Sequence, residues 1–394
     1  MAKKQTTFGG ALFRIFSSFW LCCLLLLALF VLTIFGTLYQ IDNGLHEAKE
    51  MFFHSWWISW HGIPIFPGGL LCMSLLCINL ICGGFVRIKW RLRNTGVLLV
   101  HTGIVLLLLS GLTKIITSEE GHLSVVETDS SNFFESYTLW EVAIWELNNP
   151  GATQELVIPD YLLRDLSDDG HRTFSSPDLP FDLVLSNFLT NCSVLPVGPN
   201  WKPAGAPVEG YGFLLNKPEV ESERNDAGLH ANITTADGMK QEALLWGAQR
   251  QPWAVAVDGR SFAIDMRHAR YMMPFTIRLD DFIKEDHPGM SMAKSYQSKV
   301  TQISPAGTER PVLIQMNEPL REGGVVLFQS SFGSTQGGRE YSVFSVVSNP
   351  SDKWPEYCLW VITLGLLLAF GRRLFAFIRT QSQRRRTLAA GASK

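Results

Sequence analysis

Apolar residues in this 394-residue chain come in blocks. Three of them fill the first third: roughly Ile15 to Leu38, Phe66 to Val86 and Thr95 to Ile116. Each holds about 20 or more mostly apolar residues, and at 1.5 Å rise per residue that length crosses a ~30 Å hydrocarbon core. Each block therefore predicts a membrane helix. A fourth, Tyr357 to Phe370, offers only about 14 residues before Arg372 and Arg373. It spans if those arginines snorkel to the interface and Leu374 to Ile378 continue the helix, giving a span over 356–378. Pro355 suits the first turn of such a helix, and Trp354 and Tyr357 suit an interfacial belt.

Between the third and fourth blocks the pattern changes from continuous to alternating. FDLVLSNF (181–188), PFTIRLDDF (274–282), VVLFQSSF (325–332) and YSVFSVVS (341–348) mix β-branched and aromatic residues at period two, as strands do. Asn317-Glu318-Pro319, Gly323-Gly324, Gly337-Gly338 and Asn349-Pro350 interrupt the series. Val197 to Asn225, rich in Pro, Gly and charge, reads as a long loop or insertion. With no strong amphipathic helix or obvious repeat, the region predicts an antiparallel sandwich or an open barrel. The fold class is thus a multi-span membrane protein, four transmembrane helices with a large mainly-β domain.

Net charge adds little, since 34 Lys and Arg balance 36 Asp and Glu, and nothing points to nucleic acid. Placement adds more. Lys3, Lys4 and Arg14 precede the first helix, and Arg87, Lys89, Arg91 and Arg93 join the second to the third. Arg372, Arg373, Arg379 and Arg384 to Arg386 follow the fourth. Four spans put all three clusters on one side, which the positive-inside rule makes cytoplasmic. The expected layout is a cytoplasmic N-terminus (1–14), three spans within 15–116, an exoplasmic β-rich domain (117–355), the fourth span (356–378) and a basic cytoplasmic tail (379–394). The first span is too long for a signal peptide and lacks a good cleavage site, so it is expected to stay as an anchor.

Candidate chemistry is sparse. No C-x-x-C pair occurs, and of the cysteines only Cys192 clearly lies outside the spans, which argues against thiol–disulfide exchange. No phosphate-cradling glycine loop, H-E-x-x-H or G-x-S-x-G is present. Asp280-Asp281 is an acidic pair, but neighbours on a strand point to opposite faces, so paired acid–base work is not expected of it. His171, His230, His268 and His287 read as isolated surface or hydrogen-bonded residues.

Two features stand above this background. In HSWWISWHG (54–62), Trp56, Trp57 and Trp60 fit one side of a short interfacial helix, with His46, His54 and His61 nearby. That loop is either an aromatic belt or a docking surface for a flat aromatic ligand or a neighbouring subunit. The second feature is His101, an ionisable ring inside the third block, which costs free energy unless something pairs with it. It lies about 9 Å along the axis from Thr95, on the cytoplasmic side of the midplane. Gly96 and Gly103, like Thr95 and Thr102, are seven apart and share a face, so a neighbouring helix can approach closely beside the ring. His101 is either a neutral histidine bonded to a neighbouring helix or a ligand of haem iron.

Several stretches resemble the ResB-like (CcsB) family of cytochrome c biogenesis proteins, subunits of the System II haem lyase. The shared features are SWW (55–57), NLIC (79–82) with Arg87 following, and PFTIRLDDFIKEDHPGM (274–290). MNEPLREGGVVLFQSSF (316–332) and FSVVSNPSDKWPEY (344–357) complete the set, and the layout of three spans, β-rich domain and final span is similar too. Leu327 and Phe332 stand where the family often has Tyr, and the tryptophan-rich haem-handling motif of the ResC (CcsA) partner is missing. The resemblance implies a subunit of a bacterial cytoplasmic-membrane complex that exports haem and attaches it to apocytochrome c. It implies a separate ResC/CcsA-type partner, and a non-catalytic or co-catalytic role for this chain. It further implies that His101 is one axial haem ligand, the second coming from the partner, and that the exoplasmic domain receives or holds apocytochrome. A membrane-anchored assembly factor or chaperone, binding clients on its β-domain and no haem, is the competing reading.

Overall fold

The computed structural model describes residues 8–60, 62–147, 155–167, 170–235, 238–290 and 293–391, with backbone only at Trp60 and 385–391. The chain divides into a helical unit, Met1–Ser118 with Asn349–Lys394, and a sheet unit, Glu119–Ser348.

The helical unit holds α1 (Phe8–Phe16), α2 (Phe19–Ala48), α3 (Gly69–Ile81), α4 (Thr95–Thr117) and α5 (Trp354–Gly391). Phe19–Phe53, Gly69–Val86, Leu92–Thr117 and Trp354–Arg384 are long and apolar enough to cross a membrane, which suggests a membrane protein. Their ends differ from the apolar blocks because backbone geometry, not apolarity, sets them. The first block is cut at Ser17-Ser18, so α1 is a separate short helix with Phe8, Leu12 and Ile15 exposed. That cut leaves helix-end carbonyls without partners. Asn79 Nδ2 donates to Phe16 O (2.7 Å) and Ser18 O (2.9 Å), and Arg87 Nη1 donates to Ser17 O (3.1 Å). The Asn of NLIC and the following arginine therefore staple the first helix pair to α3. Further on, α2 outruns its block, bends at Gly44 (φ 82, ψ 166) and ends in a widened turn in which His54 N–H reaches Lys49 O.

α4 and α5 meet along glycine. A Cβ on Gly96 would lie 2.7 Å from Ala369 N and 2.8 Å from Gly365 O, and one on Gly103 would lie 2.5 Å from Ile362 Cγ1. The Gly96/Gly103 face is thus spent on α5. Thr95 and Thr102 bond carbonyls of their own chain, Leu92 O and Leu98 O. α5 continues unbroken past Arg372, whose guanidinium donates to Leu92 O and Thr95 Oγ1 at the start of α4.

SWWISWHG does not form the short helix its tryptophan spacing suggests. β1 (Trp57–Trp60) pairs antiparallel with β2 (Ile63–Pro67), from Trp57↔Pro67 to Trp60↔Ile63. Two prolines and the Trp/Ile-rich alternation favour extended chain, and Gly62 at φ +80 supplies the turn.

The sheet unit begins with β3 (Glu119–Val126), β4 (Ser130–Glu146), β5 (Leu156–Pro159), β6 (His171–Phe174) and β7 (Phe181–Leu189). There follow β8 (Cys192–Pro196), β9 (Tyr211–Leu215), β10 (Gly228–Thr235), β11 (Lys240–Trp246), β12 (Trp253–Val257) and β13 (Arg260–Asp286). It ends with β14 (Ala293–Ile303), β15 (Glu309–Gln315), β16 (Leu320–Glu322), β17 (Val325–Ser334) and β18 (Glu340–Ser348). The expected loop at 197–225 thus contains β9, which pairs with β8 as a separate two-stranded sheet. One sheet runs β11-β10-β7-β6; a ten-stranded sheet runs β15-β14-β13-β4-β3-β18-β17-β16, with β12 beside β13 and β5 beside β4.

Two apolar cores result. In the first, Leu183, Leu185, Leu229 and Ile233 of the four-stranded sheet pack on Val142, Ile144, Val255 and Ile264, sheet against sheet. In the second, the large sheet curls, and Ile277, Leu279 and Val300 pack on Leu327, Phe344 and Val346. Ser298 on β14 bonds Gln329 (2.5 Å) and Ser342 (2.7 Å) across this curl, which does not close into a barrel. Both expected solutions, sandwich and open barrel, therefore coexist. β13, 27 residues long, belongs to both cores.

Candidate functional site

His101 lies on α4, off the glycine face that α5 covers, and its ring rests on the end of α3. There the helix widens through Cys82–Val86, with Arg87 N–H reaching back five residues to Cys82 O (3.1 Å). Such turns push one residue outward and recur at functional sites. Here Gly84 faces the imidazole: a Cβ on it would sit 2.8 Å from His101 Nδ1 and 3.0 Å from Cγ. Only glycine leaves room for the ring in this position. Phe85 flanks it, ring centroids 6.5 Å apart at 53°.

The ring is half-buried, and Nδ1 is enclosed without a hydrogen-bond partner. Nε2 is not enclosed in that way. With Nδ1 against the Gly84 backbone and Nε2 the open nitrogen, the ring can pack as a neutral histidine on the neighbouring helix, and the same arrangement leaves one nitrogen for a metal. The tight glycine contact of α4 is with α5, on another face, so the close approach expected beside His101 is supplied by Gly84 in the widened turn that follows α3.

In the β1–β2 loop, His54 Nδ1 bonds Glu50 Oε1 (2.7 Å), one helical turn back. Trp56, Trp57, Ile63 and Ile65 are exposed. His46 is half-buried on α2, while His61 and the Trp60 side chain lie outside the described residues.

In the sheet unit, Asp280 and Asp281 serve separate partners. Asp280 accepts from Arg278 Nε (2.9 Å) and Thr301 Oγ1 (2.6 Å), and Asp281 from Lys299 Nζ (2.9 Å). His171 is exposed and His287 sits half-buried in a turn. His230 is buried, near Ala204 O (3.4 Å) and edge-on to Phe213. His268 is not isolated. It stacks on Trp140 (centroids 3.9 Å) and meets His122 edge-on (6.3 Å), its Nδ1 buried without a partner. The pair joins β13 to β3, strands far apart in sequence, so periodicity could not have revealed it. Among the described residues no three His, Cys, Asp or Glu side chains converge as a metal site.

Burial lowers the pKa of both His230 and His268, with His122 adding to the effect on His268. An unfolded chain protonates these rings near the ordinary 6.5 while the native fold resists. Stability from them is therefore full above about pH 6.5 and falls as pH drops below it. Thermal unfolding of the sheet unit should shift to lower temperature between pH 7.5 and 5.5, and His230→Gln should flatten that slope. An unchanged slope in the variant would exclude His230 as a source.

Cys192 is buried, and burial, with Asp226 adding, pushes its thiol up to about 12. A thiol held protonated is a poor nucleophile. Iodoacetamide at pH 8 should leave the Cys192 peptide unmodified in the native protein and alkylate it in urea, as peptide mass spectrometry would show.

Residues 245–354 match the model of the ResB-like family. This segment runs from the end of β11 to the first residue of α5 and includes the MNEPLREGG and FSVVSNPSDKW stretches that carry the resemblance. The family implies a role in cytochrome c biogenesis and suggests work within a membrane complex. No curated protein matches the chain.

Proposed function

We propose, from the premise that residues 245–354 are ResB-like, that this chain is the haem-holding membrane subunit of a cytochrome c maturation complex. It would act in the bacterial cytoplasmic membrane with a ResC/CcsA-type partner. The observation that supports this most is the His101 imidazole set on Gly84, with Nδ1 turned inward and Nε2 left open. His101 would be one residue that holds the haem iron, and the partner would supply another. When bound, haem brings the iron and vinyl groups on which attachment to a C-x-x-C-H segment of apocytochrome depends.

What the chain's own residues do is position and shield. Gly84 fixes the plane of the imidazole, and the Asn79 and Arg87 staples hold the segment that carries Gly84. Arg87, Lys89, Arg91 and Arg93 sit at the α3–α4 link and mark the cytoplasmic side, so His101 lies where haem leaving the cytoplasm would enter. The same rule puts the sheet unit on the exoplasmic side, as the client-facing part.

The complex co-expressed with its ResC-type partner should purify with a Soret band. His101→Ala should lower that band several-fold, and added imidazole should restore part of it by occupying the vacated space. Normal haem content and spectrum in the variant would exclude His101 as a ligand. A wild-type complex devoid of haem at every step would favour the assembly-factor reading.

A further inference from the structure

The four-stranded sheet ends at β11. Among the described residues, β11 pairs with β10 on one side only. Gly247 N–H bonds Ala227 O and Thr235 N–H bonds Met239 O on an unbroken register, so the odd-numbered residues of β11 turn their backbone groups to β10. The N–H and C=O of Glu242 and Leu244 then point outward, and among the described residues nothing takes them up. Sheet edges are normally blunted by proline, bulges or short length. β15, the end strand of the large sheet, carries Pro311, and β6 and β16 span four and three residues. β11 has seven residues with neither proline nor bulge.

A cleft of about 580 Å³ runs along this edge, lined by Glu242 and Leu244 and, beyond them, by Tyr211, Trp246 and Trp253. Trp246 Nε1 donates to Cys192 O (3.0 Å), so one indole is fixed as a wall. Glu209 and Glu242 have no ion-pair partner among the described residues, whereas Glu135, Glu141, Glu146 and Glu155 are each paired with arginine. Arg250 is the one cation among the lining residues, so the cleft is acidic on balance.

We infer that β11 is a β-augmentation site for an unfolded, extended polypeptide segment that alternates basic and apolar residues. Its backbone would bond Glu242 and Leu244, its basic side chains would meet Glu209 and Glu242, and its apolar ones would enter the aromatic cleft. The assignment deepens the reading of the sheet unit as client-facing, and it does not depend on haem or His101.

The test uses the full chain in zwitterionic nanodiscs and a fluorescein-labelled decapeptide alternating lysine and valine, read by anisotropy. Binding should exceed that of the glutamate–valine decapeptide. Leu244→Pro removes an outward N–H and leaves the β10 ladder intact, so it should weaken binding about ten-fold or more. Glu209→Lys combined with Glu242→Lys should reverse the preference between the two peptides, and this variant decides the matter if Leu244→Pro does not fold. His101→Ala should bind as wild type. The assignment is overturned if the folded variants bind like wild type, if wild type does not bind the lysine peptide, or if Leu244→Pro only converts a wild-type dimer to monomer. The last result would mean that the edge pairs with a second copy.

Discussion

Gly84→Val should strip haem from the purified complex as thoroughly as His101→Ala does, although the histidine is still present. The first atom of any side chain at 84 would stand 2.8 Å from Nδ1, 3.0 Å from Cγ and 3.3 Å from Cε1. Three ring atoms block it, and valine adds two methyl groups beyond that contact. The imidazole must leave its rotamer or α4 must move, and overpacking of this kind costs about 1–3 kcal/mol. That corresponds to roughly a five- to 150-fold loss in occupancy of the bound geometry. The two variants should separate on rescue. Imidazole fits the space left by His101→Ala, while in Gly84→Val that space is filled and rescue should fail. A Gly84→Val complex of normal yield with an undiminished Soret band would mean that the ring's seat on α3 has nothing to do with haem.

Arg267→Ala should cost the sheet unit about 3–5 kcal/mol, the range for leaving one charge of a buried pair uncompensated. Arg267 is 9% exposed and bonds two carboxylates: Nε donates to Glu141 Oε1 (2.9 Å) and Nη2 to Glu155 Oε2. Glu141 is 5% exposed and would be stranded. Hydrogen bonding to Arg267 holds Glu155 below the usual carboxylate range, so its share of stability is present at neutral pH and fades in acid. The loss should be read from thermal unfolding of the full chain at pH 7.5. Adding Glu141→Gln to Arg267→Ala should recover part of it by removing the stranded charge. No recovery would place the cost in lost packing of the arginine stem over Trp145, whose ring lies 5.9 Å from the guanidinium.

The membrane helices were legible because about 20 apolar residues in a row have few other uses. Their ends were not, since Ser17, Gly44 and the turn through Gly84 are backbone events inside or beside apolar sequence. Strands were legible from alternation, but their limits were obscured by proline. PFTIRLDDF reads as a strand opening at Pro274, yet β13 begins at Arg260 and runs through it. The pairing of β13 with β4 skips from Met272 to Ile277, so no ladder bond is required of Pro274. The tryptophans of the first loop misled in the opposite direction: a spacing that suits a helix face was overruled by Pro64 and Pro67. His101 stood out as a polar ring in an apolar run. Gly84 did not, because a glycine pair at a helix end has many ordinary explanations, and only three-dimensional proximity links it to residue 101.

The sheet unit begins and ends on one ladder. β18 pairs with β3 along its length, and Ser348, the last residue of the unit, lies opposite Glu119, the first. The polypeptide thus leaves and re-enters the helical unit through two neighbouring threads, like a cassette between paired splice points. Strand additions, loop growth or wholesale exchange between residues 119 and 348 need not alter the spacing at which α4 and α5 meet. The glycine seam and the histidine seat can therefore stay fixed while the sheet unit diverges. In the other direction, the ladder must wait for its last strand, because β3 is complete more than two hundred residues before β18 is made.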